Sequence, residues 1–230
     1  MSSTTPPPRA RTRRTTRVTR ARILAAALRE LGRNPDSSLG DIAEAAGVAR
    51  RTLYTHFAGR AELVKGLAED AMAAIRHAVT VASTPGPGSG PGSDPASALA
   101  RFVLTLWPVG DAYRTLIGLA HQDLGHDLVS ELLAPARETV AGLLAEGQRQ
   151  GVFHTVVPPG PLSGAIEAHL LALLGAVNAG IWADDGTGGA TAALIAAGVD
   201  GRTAAATVRR LRDADRPRPT HPPDRPHRSP

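Results

Sequence analysis

Five side chains that can hold nucleic acid fall within six residues, Arg50-Arg51-Thr52-Leu53-Tyr54-Thr55. A guanidinium near the start of a short helix can pair bidentately with a guanine edge in the major groove, and hydroxyls can hold phosphate oxygens. On helical spacing Leu53 and Phe57, four apart, take one side, and Arg50, Arg51, Thr52 and Thr55 lie on or beside the other. Arg50, Arg51 and Thr55 are therefore expected to read bases.

A second group with chemical potential is His121-Gln122-Asp123-Leu124-Gly125-His126-Asp127, which has metal-ligand residue types. On a continuous helix His121 and His126 would point about 140° apart, and only a bend at Gly125 would bring them together. A solvated helix junction is the favoured reading, with no metal site. The chain has no cysteine, which excludes disulfides, thiolate metal sites and thiol catalysis. No phosphate loop and no Ser-His-Asp pattern is apparent, so no catalytic residue, cofactor or enzymatic activity is expected.

The elements that must position the arginines are helices. From Val18 to Leu31 apolar residues recur at Ile23, Leu24, Ala27, Leu28 and Leu31, and Gly32 with Asn34-Pro35 ends the pattern. Ser37 or Ser38 can cap the next helix, and Asp41 and Glu44 lie where its dipole favours acids. Ile42 and Ala46 face inward, Gly47 supplies a turn with positive φ, and Val48 fills the corner. Helix, glycine turn and short arginine-bearing helix together read as a helix-turn-helix, within residues 39–63.

Charge supports the same end of the molecule. Residues 1–82 carry 14 Lys/Arg against 7 Asp/Glu, residues 83–213 carry 8 against 12, and the remaining tail 4 against 2. A basic first third on an acidic body localises polyanion affinity. Arginine number alone says less, because Lys65 is the only lysine among 26 basic residues and Ala, Gly and Pro are also heavily used.

Over residues 20–67 the sequence resembles the tetracycline-repressor (TetR) family of bacterial transcription regulators. The resemblance is carried by Ile23-Leu24-Ala25-Ala26-Ala27, Asp41-Ile42-Ala43, Ala46-Gly47-Val48, Thr52-Leu53-Tyr54, His56-Phe57, Arg60 and Leu63. It implies a homodimer, an all-helical C-terminal dimerisation domain with an internal ligand pocket, and phosphate contacts from Ser38, Thr52, Tyr54 and Arg60. Two residues depart from the family pattern. Ala49 stands where a capping serine is usual, and Arg51 where a small residue is more common.

The expected fold is thus all-α. Residues 1–17 are expected to be a disordered basic arm, which either follows the minor groove, adds counterion release, or has no specific role. Residues 18–66 form the helix-turn-helix domain, 67–213 the helical regulatory and dimerisation domain with a flexible loop at 83–95, and 214–230 a disordered Pro-rich tail. Within the body, helices are expected over 96–106 and 111–121, divided at Trp107-Pro108, and over 127–150, where Pro135 either kinks the helix or starts a second one. The last helical regions, 162–183 and 189–212, carry small residues at Gly164, Ala168, Ala172, Gly175 and Ala179, and are assigned to the dimer interface.

Candidates for an apolar pocket with convergent polar groups are Phe102, Trp107, Tyr113, His121, Gln122, His169, Asn178 and Trp182. The stretch at 165–182 is interrupted by Glu167, His169, Gly175 and Asn178 and is read as no membrane span. With no apolar signal segment at the N-terminus, a cytoplasmic location is expected. The functional expectation is a repressor that binds a palindromic double-stranded operator as a homodimer and is released by a small organic effector. The alternative is a basic architectural protein that binds DNA without sequence choice.

Overall fold

The computed structural model describes residues 8–84, 94–123 and 126–215, without the side chains of residues 8–14 and 114–129. All regular structure among these residues is helical: α1 (Pro8–Arg33), α2 (Leu39–Ala45), α3 (Arg50–His56), α4 (Arg60–Ser83), α5 (Pro95–Asp123), α6 (His126–Arg149), α7 (Pro159–Asn178), α8 (Thr187–Ala196) and α9 (Gly201–Asp215). The first three form the reader, α4 leaves it, and α5 to α9 complete the body against α4.

The reader closes around Ile23, Leu31, Ile42, Leu53 and Leu63, all at or near zero exposure, with Phe57 beside them. Helix α2 starts on a capping box: the Ser38 hydroxyl accepts from the Asp41 amide at 3.2 Å, and the Asp41 carboxylate accepts from the Ser38 amide at 2.9 Å. These two bonds satisfy donors that a helix start leaves open. Gly47 makes the turn at φ +61°, where a side chain would be strained. Ala49 gives α3 no side-chain cap.

Two expected boundaries move. Helix α1 begins at Pro8, so the arm expected to be disordered over 1–17 is helical from there on. Proline suits a first turn, and the arginines and threonines that follow contain no helix breaker. Helix α5 runs unbroken past Trp107-Pro108. An internal proline costs about 3 kcal/mol, whereas burying a large apolar side chain returns about 1.5–3 kcal/mol each. Pro108 is exposed, while Phe102, Val103 and Trp107 are buried on the inner side, so packing outweighs the lost hydrogen bond. Pro135 likewise sits inside a continuous α6. The helical region expected over 189–212 is divided into α8 and α9, with Gly198 at φ +102° in the break.

Three aspartates of the body act at helix starts. Asp94 accepts from the Ala96 and Ser97 amides, Asp184 from Gly188 and Gly189 at 2.8 and 3.0 Å, and Asp200 from Arg202 and Thr203. Hydrogen bonding to Thr203 holds Asp200 below the usual carboxylate range. Most of the loop at 83–95, and the tail beyond residue 215, lie outside the described residues.

Candidate DNA-reading face and ligand chamber

Helix α3 presents Arg51, Tyr54 and Thr55 outward, Tyr54 at 54% exposure. The Thr55 hydroxyl donates to the Arg51 carbonyl at 2.9 Å, while no hydrogen bond or ion pair engages the Arg51 side chain among the described residues. Thr52 is half-buried at the helix edge. An arginine free at the second position of a short, uncapped helix is suited to reach into a groove.

Three of the expected DNA contacts are engaged within the protein. The Arg50 guanidinium folds back over α2, so close that a methyl group at Gly40 would lie 2.7 Å from its Nη2. Bonds from Ser38, with a smaller contribution from Arg50, hold the Asp41 carboxyl below its ordinary range. Arg50 nevertheless remains exposed to solvent. The Ser38 hydroxyl, expected on phosphate, serves the capping box and donates to Asp41 at 2.8 Å. Arg60 donates to the Ser37 carbonyl at 3.0 Å and to the Pro35 carbonyl, strapping the start of α4 to the turn after α1. Its five N–H groups leave others for phosphate.

Sequence reasoning missed Arg20. Its guanidinium lies 5.2 Å from the centroid of the Phe57 ring and pairs with Glu69 on α4 at 3.2 Å. It therefore fastens α1 and the end of α3 to the helix that enters the body. Its position off the apolar stripe of α1 carried no sign of a partner 49 residues away.

That helix also walls a chamber. A cavity of about 130 Å³ lies between α4, α5, α6 and α7, with Ile75, Phe102, Leu106, Val140, Ile166 and Leu174 among its walls. Phe102, Trp107 and Tyr113 are among the residues that line it. Trp107 sits against the start of α8, where a methyl group at Gly189 would meet the indole at 2.5 Å, and its Nε1 donates to the Asp184 carbonyl at 3.3 Å. The Tyr113 hydroxyl donates to Asp70 of α4 at 2.7 Å, and burial followed by this bond pushes the phenol well above its ordinary range. Arg137 and Glu167 meet at the wall through two bonds of 2.9 Å, which raise the guanidinium further.

The other pocket candidates are placed elsewhere. His169 and Asn178 are exposed on the outer side of α7 because Leu162, Ile166 and Leu174 take its inner side. Trp182 does not line the cavity. It meets Trp107 edge-on, with centroids 6.3 Å apart. The side chains of His121 and Gln122, with the rest of the histidine-bearing run, lie outside the described residues. Elsewhere, no group of three or more His, Asp or Glu side chains among the described residues could hold a metal ion.

A short polar recognition helix behind a glycine turn, joined by one helix to a helical body with an apolar chamber, defines a class of helix-turn-helix regulators. Residues 23–67 match the family described as bacterial regulatory proteins, tetR family. These residues are thus similar to the tetR-family helix-turn-helix DNA-binding domain, and the fold of the chain is like that of solved transcription regulators of that family. A gamma-butyrolactone receptor described as ArpA-like is similar over 87% of this chain and 99% of its own, at 19% identity and TM-score 0.64. The TetR-like regulator LfrR from Mycobacterium smegmatis, solved in complex with proflavine, shares 25% identity over 76% of this chain and 92% of its own, at TM-score 0.57. RolR, solved with resorcinol, shares 22% identity over 86% and 96%, at TM-score 0.53. No curated protein matches the sequence.

Proposed function

We propose that this regulator is a repressor that binds a palindromic operator as a homodimer and lets go when a small organic molecule enters the chamber. The observation that carries this reading is the double use of α4. Its Leu63 and Leu67 belong to the reader's core, its Ala68 and Ile75 wall the chamber, and its Asp70 takes the Tyr113 hydroxyl. A guest that displaces α4 moves the reader with it. Release then requires that the guest bind more tightly to the arrangement whose readers are wrongly spaced.

The second copy docks on α7. By length and apolarity α7 would pass as a membrane span. Only Leu162, Ser163, Ile166 and Leu174 are buried, and Ala165, Ala168, Ala172, Gly175 and Ala179 face outward. A face of small residues allows close helix approach, and a partner α7 would cover it. The outer side of α9 contributes Arg202, Arg209 and Arg210 and is polar.

In this reading Arg51 and Thr55 read bases, Thr52, Tyr54 and Arg60 grip the backbone, and Arg50 joins them only by leaving α2. A DNA-bound protein of this kind works in the cytoplasm. Gel-shift competition tests the proposal: at physiological salt the best palindrome should outcompete a random duplex by at least about a thousandfold. Equal competition would favour the architectural alternative.

A further inference from the structure

Among the described residues the chamber is apolar, and each polar side chain on its wall has a partner. The Arg137 Nε and Nη2 donate to the Glu167 carboxylate at 2.9 Å each, so the only two formal charges among the described wall residues sum to zero. The Ser163 hydroxyl donates to the Arg137 carbonyl at 2.8 Å, the Tyr113 hydroxyl to Asp70 at 2.7 Å, and the Trp107 Nε1 to the Asp184 carbonyl. Beyond these groups the walls are hydrocarbon, from Ile75, Phe102, Val140 and Leu174 among others.

An anionic guest would have either to take Arg137 from Glu167 or to share the guanidinium with it, and in both cases its charge lies beside the Glu167 carboxylate. A cationic guest would have to do the converse. Either arrangement adds a net charge at a half-buried pair set against apolar walls, which is unfavourable. An uncharged guest breaks no pair and gains the full burial of its own apolar surface.

Resting on the chamber reading above, we infer that the effector of this protein is an uncharged, hydrocarbon-rich small molecule, and that the Arg137–Glu167 pair excludes organic anions. Glu167 is the selectivity residue: among the described wall residues it neutralises the one cation that would otherwise attract a carboxylate.

Three probes with the same chain and different heads test this at pH 7: 1-octanol, octanoate and octylammonium. Binding is read on the full-length protein by tryptophan fluorescence, because Trp107 lines the chamber and Trp182 meets it edge-on, and again by calorimetry. Octanol should bind at least about tenfold more tightly than either ion, since neither ionic head finds a free counter-charge. Glu167→Gln should improve octanoate by about tenfold and change octanol by less than about threefold, because it releases Arg137 without changing the side-chain volume. Ala136→Phe, which fills the cavity, should abolish octanol binding. If octanoate or octylammonium binds the wild-type protein as tightly as octanol, the inference falls while the chamber reading stands. An octanoate affinity unchanged by Glu167→Gln would remove the role given to the pair. Failure of all three probes to bind, or octanol binding untouched by Ala136→Phe, would sink the chamber reading and the inference with it. The wild-type series decides even if both variants misfold.

Discussion

The reader and the chamber are built by opposite means. The reader's core joins Ile23, Leu31, Ile42, Leu53 and Phe57 from one short span of chain, and its caps and turn are set by neighbours such as Ser38, Asp41 and Gly47. The chamber is assembled from α4, α5, α6 and α7, and its polar pairs join residues 30 and 43 positions apart. The first is local order with a few side chains left free. The second is distant order in which each polar wall group is paired. The contrast separates what each part can respond to: the reader offers an unengaged arginine to a partner, and the chamber offers space.

The largest test of that separation is Leu53→Ala. Leu53 is wholly buried at the centre of a small core, and removing such a side chain costs about 2–5 kcal/mol. Thermal denaturation should lose an early, reader-sized part of the transition and operator binding should vanish. Octanol binding in the chamber should persist. Loss of both functions together would mean that reader and body unfold as one unit.

Next in size is Arg51→Ala. As a base contact it should weaken the operator by about 1–3 kcal/mol and random duplex far less. Arg60→Ala should weaken all duplexes alike and lower the salt slope by about one, as one lost phosphate contact does. Arg50→Ala separates the two arrangements of that residue: a reader that leaves α2 on binding behaves like Arg51, whereas a side chain that stays over Gly40 changes specificity little. Equal losses for Arg51 and Arg60 on every sequence would erase the division between reading and gripping.

These residues also show how far sequence reached. The helix-turn-helix, its glycine turn and its inward set were legible because helical spacing and turn chemistry are local signals. The direction of the arginines was not: Arg50 and Arg60 carry the same charge as Arg51, yet Arg50 lies over Gly40 of α2 and Arg60 is held by two carbonyls. In the body, Phe102, Trp107 and Tyr113 were found as chamber walls because large side chains bury. Arg137, Glu167 and Asp70 were missed because nothing along the chain pairs residues on separate helices. Prolines misled at 108, where burial across three helices outweighs a local break.

A smaller effect is expected at the cap of α2. Ser38→Ala removes the hydroxyl that accepts from the Asp41 amide, and a lost N-cap costs about 1 kcal/mol. Denaturant midpoints should fall accordingly, with operator affinity reduced only through the folded fraction. The pH dependence has a definite sign. Asp41 titrates below its ordinary value in the fold, first because of the Ser38 hydroxyl. Its contribution is therefore present above the unfolded carboxyl pKa near about 4 and is lost as pH falls through the lower folded value. The wild-type protein should lose stability faster than Ser38→Ala between about pH 4 and the acid transition.

The smallest change is the most informative about coupling. Tyr113→Phe keeps the ring in the chamber wall and removes only the bond to Asp70, whose carboxylate lies at the surface and regains water. A hydrogen bond of this kind contributes about 0.5–1.5 kcal/mol, and here the lower end is expected. Global stability should hardly move near neutral pH. In the wild type the phenol ionises above its ordinary value, so its contribution is present below about pH 10 and is lost only as pH rises beyond that. Operator affinity and its sensitivity to octanol should shift more than stability does, because the bond joins a chamber residue to the helix that carries the reader. A variant in which stability falls and the octanol response is unchanged would make Tyr113 a packing residue and would place the coupling elsewhere along α4.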